Sequence, residues 1–248
     1  LNLERVDKRY DISRYLNYAE GVIKKAYKRN SRILVVGGSG FYLRSFFSAV
    51  IDEVVVSEDI RMSVEALYRD EGLAGLLAKL NDLNSGCLGD LDQANPVRVL
   101  KSLERCLATG LTVRELRKEF EKKPVPYMKF QKRTCLLDRS DEDLEILIKN
   151  RTEKMLMNGL IEETEKLLSD GLQKNYPASS SVGYRETISY LRGEITKCEL
   201  GNAIRVSTRQ LVSKQRKWFR KYYITERMLM PHSGRDPKAE DLDWNSQT

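Results

Sequence analysis

The sequence predicts an α/β protein with a parallel sheet core and an all-helical insertion. Two observations carry this. Across residues 13–50 the order is helix, strand, glycine-rich turn, helix, which is the grammar of a parallel sheet. From residue 51 strand signals fade, short amphipathic helices follow one another, and a strand pattern returns only at residue 134.

Residues 13–28 place Leu16, Ala19, Ile23 and Ala26 at helical spacing, with Ser13 as the expected N-cap. Residues 32–36 (RILVV) form a short, partly β-branched apolar run ending at Gly37, which predicts a buried strand. Gly37-Gly38-Ser39-Gly40 then turns into an expected helix, FYLRSFFSAV. In the insertion, helices are expected over Glu58–Tyr68, Leu73–Asn81, Pro96–Ala108 and Thr112–Phe120. The third has the clearest start, with Asn95 as cap and Pro96 at the first helical position. Thr134–Asp138 is the return strand. Ser140 caps a helix reaching Gly159, and Ile161–Ser169 and Val182–Leu191 follow. Thr196 and Glu199 form a capping box opening a long helix to about Tyr223. The domains expected are therefore a core of residues 1–50 and 127–230, an insertion of residues 51–126, and a polar tail of residues 231–248.

The 248 residues, 41% hydrophobic, suffice to bury a sizeable core. No run approaches the roughly 20 apolar residues of a membrane span, and residues 1–10 lack a signal-peptide core. Net charge is +7 and the isoelectric point about 9.1, which favours an anionic partner without naming it. Four scattered cysteines exclude a CxxC zinc or disulfide framework and fit a reducing cytoplasm. His232 is the one histidine and lies in the polar tail, so Ser-His or Cys-His chemistry is not expected.

The GGSG turn offers backbone N–H groups and a helix N-terminus to an anion or a base, or is simply a tight turn. It is not a phosphate loop of the GxxxxGK[ST] kind, and none occurs in the chain. Arg151 falls at a spacing of four, three and four with Leu144, Ile148 and Met155. That places it partly within an apolar stripe, where a guanidinium needs an anion: a structural carboxylate or a phosphorylated substrate. Arg98, Lys101 and Arg105, with Glu104 among them, lie away from the apolar face of their helix, as a solvated face or a phosphate-contact ridge. Residues 205–221 hold seven basic residues, no acidic one, and Trp218 and Phe219. This pattern suits nucleic acid, where cations meet phosphate and rings stack, or else a wet face with aromatic anchors. Ser180-Ser181-Val182-Gly183-Tyr184-Arg185 joins a loop to a helix and suits a base or phosphate, or a capped helix start with a packed tyrosine.

Together these pieces resemble the tRNA dimethylallyltransferases (tRNA isopentenyltransferases, the IPP transferase family). VVGGSGFYLRSFF is similar to their VGGTGLYxxA, and NPVRVLKSLERCLATGLTVREL to NDxRRVxRALEVxxxTGKxxSE. LEILIKNRTEKMLMNGLIEETEKLL looks like LxxRIxxRVxxMxxxGLxxEVxxLL. SSVGYRETISYLRGEIT resembles AxGYKExxxYLxGxxS, and STRQLVSKQRKWFR resembles TRxxAKRQxTWFR. The five blocks occur in the family's order.

The resemblance implies a P-loop-NTPase-like core and transfer of a dimethylallyl group from dimethylallyl diphosphate to N6 of adenosine-37, beside the anticodon. It also implies Mg2+ at the diphosphate and extrusion of the target base. The partners implied are the tRNA anticodon stem-loop and dimethylallyl diphosphate, with a cytoplasmic monomer that engages no membrane. By position, Arg151 would hold the diphosphate; Leu147 stands where the family has a further arginine. Ser39, after Gly37 and Gly38, matches a threonine next to the adenosine. Arg61, Val97, Arg98, Val99, Leu100 and Lys101 match tRNA-contacting positions of the insertion. Ser180, Ser181, Val182, Gly183, Tyr184 and Arg185 match a further tRNA-contacting segment, with arginine for the commoner lysine. The family's GPTxSGKT loop and its DSxQxY segment, whose aspartate takes the N6 proton, would both precede Leu1. The chain as written is expected to bind tRNA better than it catalyses. Two alternatives stand beside this reading: a non-catalytic tRNA-binding relative, and an adenylate isopentenyltransferase acting on a free nucleotide.

Overall fold

The computed structural model describes residues 4–8, 10–222 and the backbone of residues 226–229. The expected polar tail with His232 lies outside the described residues, and the helix expected to reach about Tyr223 ends earlier, at Phe219. The chain divides into two compact units, one of residues 1–43 with 129–248 and one of residues 44–128.

In the first unit, α1 (Ile12–Lys28) leads to α2 (Gly40–Arg44). Asp11 caps α1 by accepting from the Arg14 N–H at 3.0 Å, so the cap lies two residues before the expected Ser13. The helix expected after the GGSG turn lasts only these five residues. The second unit holds α3 (Glu58–Asn84), α4 (Pro96–Thr109) and α5 (Val113–Glu121). Gly72, at φ +64°, breaks α3 into the two helices read from the sequence. Asn95 caps α4 through the N–H groups of Val97 and Arg98, and Gly110 closes it in the left-handed region. Val64, Leu76 and Leu80 of α3 pack on Val99, Leu103 and Cys106 of α4 as the core of this unit.

The first unit continues with β1 (Cys135–Asp138), α6 (Asp141–Met157), α7 (Leu160–Ser169), α8 (Tyr176–Ser179), α9 (Tyr184–Leu191), α10 (Lys197–Phe219) and β2 (Glu226–Leu229). Helix α10 packs on α6 and α9, and α7 packs on both α6 and α9. Leu160, Leu200 and Ile204 form their buried centre, with Leu156, Val182 and Tyr190 around it.

The sheet departs most from expectation. Among the described residues it has two strands, β1 and β2, paired parallel with Cys135 opposite Glu226. Parallel pairing and the return strand agree with the sequence reading. The buried strand expected at residues 32–36 is corrected: the segment carries no ladder, and Leu34 and Val36 are 68% and 82% exposed. A strand exists only with a neighbour to satisfy its N–H and C=O groups, and no described strand lies beside this run. The wider P-loop-NTPase-like sheet is accordingly not built by the described residues.

The GGSG turn needs its last glycine for space. A Cβ on Gly40 would overlap the indole of Trp218 in α10, and Gln215 donates to the Gly38 carbonyl at 2.9 Å. Gly40→Ala is expected to lower stability by about 1–3 kcal/mol through this overlap, measured as a lower urea midpoint. Gly37→Ala, whose Cβ meets nothing within 4 Å, is the matched control.

Candidate diphosphate and tRNA site

Helix α6 sets the position of Arg151. Its inward face runs through Leu144, Ile148, Thr152 and Met155, so the buried residue of that turn is Thr152 and Arg151 is exposed. The partly inward placement read from the spacing is corrected by one residue, or 100° of helix. Thr152 satisfies its hydroxyl on the Ile148 carbonyl at 2.8 Å, which lets a polar residue occupy the core-facing position.

Arg151 instead faces a concavity of about 600 Å³. Asn150 and Lys154 of α6 and Asn158 at its C-cap line it beside Arg151, with Glu163 of α7, Val182 and Tyr184, the first residue of α9. Leu147, Met155 and Leu160 supply an apolar part. Arg151 and Lys154 have no side-chain partner among the described residues. Tyr184 donates to Glu163 at 2.5 Å. Burial first, and this carboxylate second, push the Tyr184 hydroxyl up to about 12, so it stays a donor throughout the neutral range. Two cations and two amides beside an apolar patch can hold an amphiphile whose head is a polyanion, while Tyr184 occupies the one carboxylate, Glu163, in the same wall.

The structure thus brings Arg151, Val182 and Tyr184 together. Asn150, Lys154, Asn158 and Glu163 were missed in the sequence. The signal available was helical spacing, since positions 147, 151, 154 and 158 share one face of α6.

The remaining positions are distributed. Gly37, Gly38 and Ser39 are exposed before α2, and the Ser39 carbonyl accepts from the Leu43 N–H at 3.1 Å. Arg61 is exposed on α3, 3.8 Å from Glu58. On α4, Val97 and Arg98 face solvent, with Arg98 3.3 Å from Asp92. Val99 is fully buried, so this expected contact is corrected: it presents no side chain to a ligand; Leu100 packs on the same core and stays partly exposed. Lys101 covers Glu104 at 2.7 Å; this glutamate is buried, against its expected place on a solvated face. Ser180 and Ser181 donate to the carbonyls of Pro177 and Ala178, which closes the turn before Gly183.

The basic stretch of α10 is less free than its composition suggests. Arg216 donates to Asp138 at 2.9 and 3.0 Å and to Asp141 at 2.6 Å, and Arg209 lies 3.4 Å from Glu145. Trp218 packs with Phe219, Tyr222 and Gly40. Arg205, Arg209 and Lys214 line a second groove with Glu145, Asn202 and Gln210.

The model of the IPP transferase family matches residues 1–222. The chain belongs to this family. It is 42% identical over 210 residues to a tRNA dimethylallyltransferase of Opitutus terrae, covering 85% of this chain and 67% of that protein. A tRNA dimethylallyltransferase of Bdellovibrio bacteriovorus is 35% identical over 195 residues, covering 76% and 61%. The chain thus spans about two thirds of the length of these relatives.

In fold it resembles a eukaryotic dimethylallyltransferase acting on tRNA, with TM-score 0.70 and 21% identity over 99% of this chain and 61% of that one. The tRNA isopentenylpyrophosphate transferase of Bacillus halodurans gives 0.60 and 23%, over 92% and 71%. These findings bear out the resemblance to tRNA dimethylallyltransferases and, with it, the assignment to enzymes that transfer a prenyl group to tRNA.

No cluster of three or more His, Cys, Asp or Glu among the described residues could hold a metal. Mg2+ at a diphosphate needs only about one or two carboxylates beside the phosphate oxygens and water, and no described residue is assigned to it. No helix among them is long and apolar enough to cross a membrane.

Proposed function

We propose that the complete protein transfers a dimethylallyl group from dimethylallyl diphosphate to N6 of adenosine-37 in tRNA, and that the concavity beside α6 receives the diphosphate. The observation that carries the site is a pair of cations, Arg151 and Lys154, without a partner among the described residues and next to an apolar wall. An allylic diphosphate needs both: charge for its head and an apolar surface for its five-carbon chain. The N6 lone pair forms a C–N bond as the C–O bond to diphosphate breaks, and the N6 proton passes to a base. Charge grows on the leaving oxygen, so a guanidinium beside it stabilises the transition state more than the ground state. The adenine must leave its stack to present N6 in line, which favours a reader of extruded bases such as the Gly37–Ser39 turn. Arg61, Arg98 and the segment 180–185 are proposed to contact the anticodon stem-loop. A reducing cytoplasm and a monomer complete the reading.

Incubation of the complete protein with tRNA and labelled dimethylallyl diphosphate is expected to label N6 of adenosine-37. Absence of label there overturns the activity. Arg98→Ala is expected to lower the slope of log affinity against log salt by about one, because one phosphate contact is lost. An unchanged slope removes Arg98 from the interface. Lys101 is a poorer probe, since its loss would also strip the buried Glu104 of its cation.

A further inference from the structure

Glu186, in the first turn of α9, is 6% exposed and gathers four donors. Its Oε2 accepts from the Gly183 N–H at 2.8 Å, which completes a helix cap. Its Oε1 accepts from Arg185 Nε at 2.9 Å, Arg185 Nη2 at 2.6 Å and the Ser207 hydroxyl of α10 at 2.7 Å. Arg185 Nη2 also donates to Ser207 at 2.8 Å. Burial raises the affinity of this carboxyl for its proton. The bonds from Ser207, Gly183 and Arg185 outweigh that, and Glu186 sits below the usual carboxylate range.

Capping requires only Oε2. The other oxygen is spent on Arg185, a residue that a helix start does not favour, because a cation there opposes the helix dipole. The Arg185 side chain is 53% exposed. Its Nε and Nη2 are held on the buried side, while Nη1 has no partner among the described residues. A free surface arginine samples many rotamers and loses that freedom on binding. A guanidinium clamped along one edge has already lost it, so its open edge binds an anion with less entropic opposition.

We propose that Glu186 is a positioning residue that clamps Arg185 edge-on, with Ser207 as a second prop, so that the outer edge of the guanidinium meets a phosphate of the tRNA. The proposal rests on the reading of residues 180–185 as a tRNA contact. The test is a double-mutant cycle in the complete protein, with tRNA affinity and KM for tRNA measured across a salt series. Arg185→Ala is expected to weaken binding about tenfold, the size of one charge-assisted hydrogen bond, and to flatten the salt slope.

Glu186→Gln keeps the shape and one acceptor but removes the charge. It is expected to weaken binding several-fold, with the loss falling on KM for tRNA, and to add nothing once Arg185 is alanine. If Glu186→Gln folds poorly, Ser207→Ala serves in its place, with a smaller loss that again vanishes in the Arg185→Ala background. An equal loss in both backgrounds makes Glu186 a purely structural residue and overturns the proposal. So does no loss beside an effective Arg185→Ala. If Arg185→Ala itself leaves binding and salt slope unchanged, the reading of the segment fails, and the proposal falls with it.

Discussion

Arg151→Ala in the complete protein is expected to lower prenyl transfer by about 10²–10³-fold, the loss typical of a missing charge stabiliser, with tRNA affinity unchanged. The side chain is exposed on α6 and has no partner among the described residues. Its removal leaves no buried group unsatisfied, so stability should move by no more than about 0.5 kcal/mol. Lost turnover can then be assigned to the site rather than to unfolding. Arg151→Lys keeps a charge but loses the planar fork, and should fall between. Three measurements check this: steady-state turnover with each substrate varied, tRNA affinity at equilibrium, and a thermal midpoint. Unchanged turnover would place the diphosphate elsewhere. A large drop in tRNA affinity would make Arg151 part of the RNA interface.

The starts of helices α4 and α10 were legible because their signals are local. Asn95-Pro96 opens α4, and Thr196 with Glu199 opens α10. What the sequence hid was relational. Residues 32–36 have the composition of a buried strand, but a ladder belongs to two segments, and the second is not among those described. The apolar face of α6 is broad, with Ile146 and Leu147 left exposed, so its true centre at Ile148 and Thr152 was off by a fraction of a turn. That small phase error decided whether Arg151 pointed into the core or into the concavity. On α4 the charged face was read as wet, yet Glu104 is buried under Lys101. Of the candidate site, the motif positions were visible and Lys154 and Asn158 follow from helical spacing around Arg151, while Glu163 needed the packing of α6 against α7.

The basic run of α10 yields the second large prediction, and it concerns stability. Composition treats its seven cations alike, but Arg216 is turned inward. It donates Nε and Nη2 to Asp138, which is 8% exposed, Nη1 to Asp141, and Nη2 also to the Arg139 carbonyl. Asp138 ends β1 and Asp141 begins α6, so one guanidinium ties α10 to the turn between them. The neighbouring carboxylates push Arg216 further above the ordinary arginine value, with Asp141 the larger cause.

Arg216→Ala removes two charge-assisted bonds from a buried aspartate and is expected to cost about 3 kcal/mol. Arg216→Lys should recover only part of this, since a point ammonium cannot span three acceptors in the fork's geometry. Lys217→Ala, an exposed position on the same helix, should leave the urea midpoint within about 0.5 kcal/mol of the parent. If Arg216 were instead a phosphate contact, its alanine variant would retain the parental urea midpoint and lose tRNA affinity with a flatter salt slope. The opposite pattern is expected here: a lower midpoint, and full tRNA affinity in the fraction that remains folded.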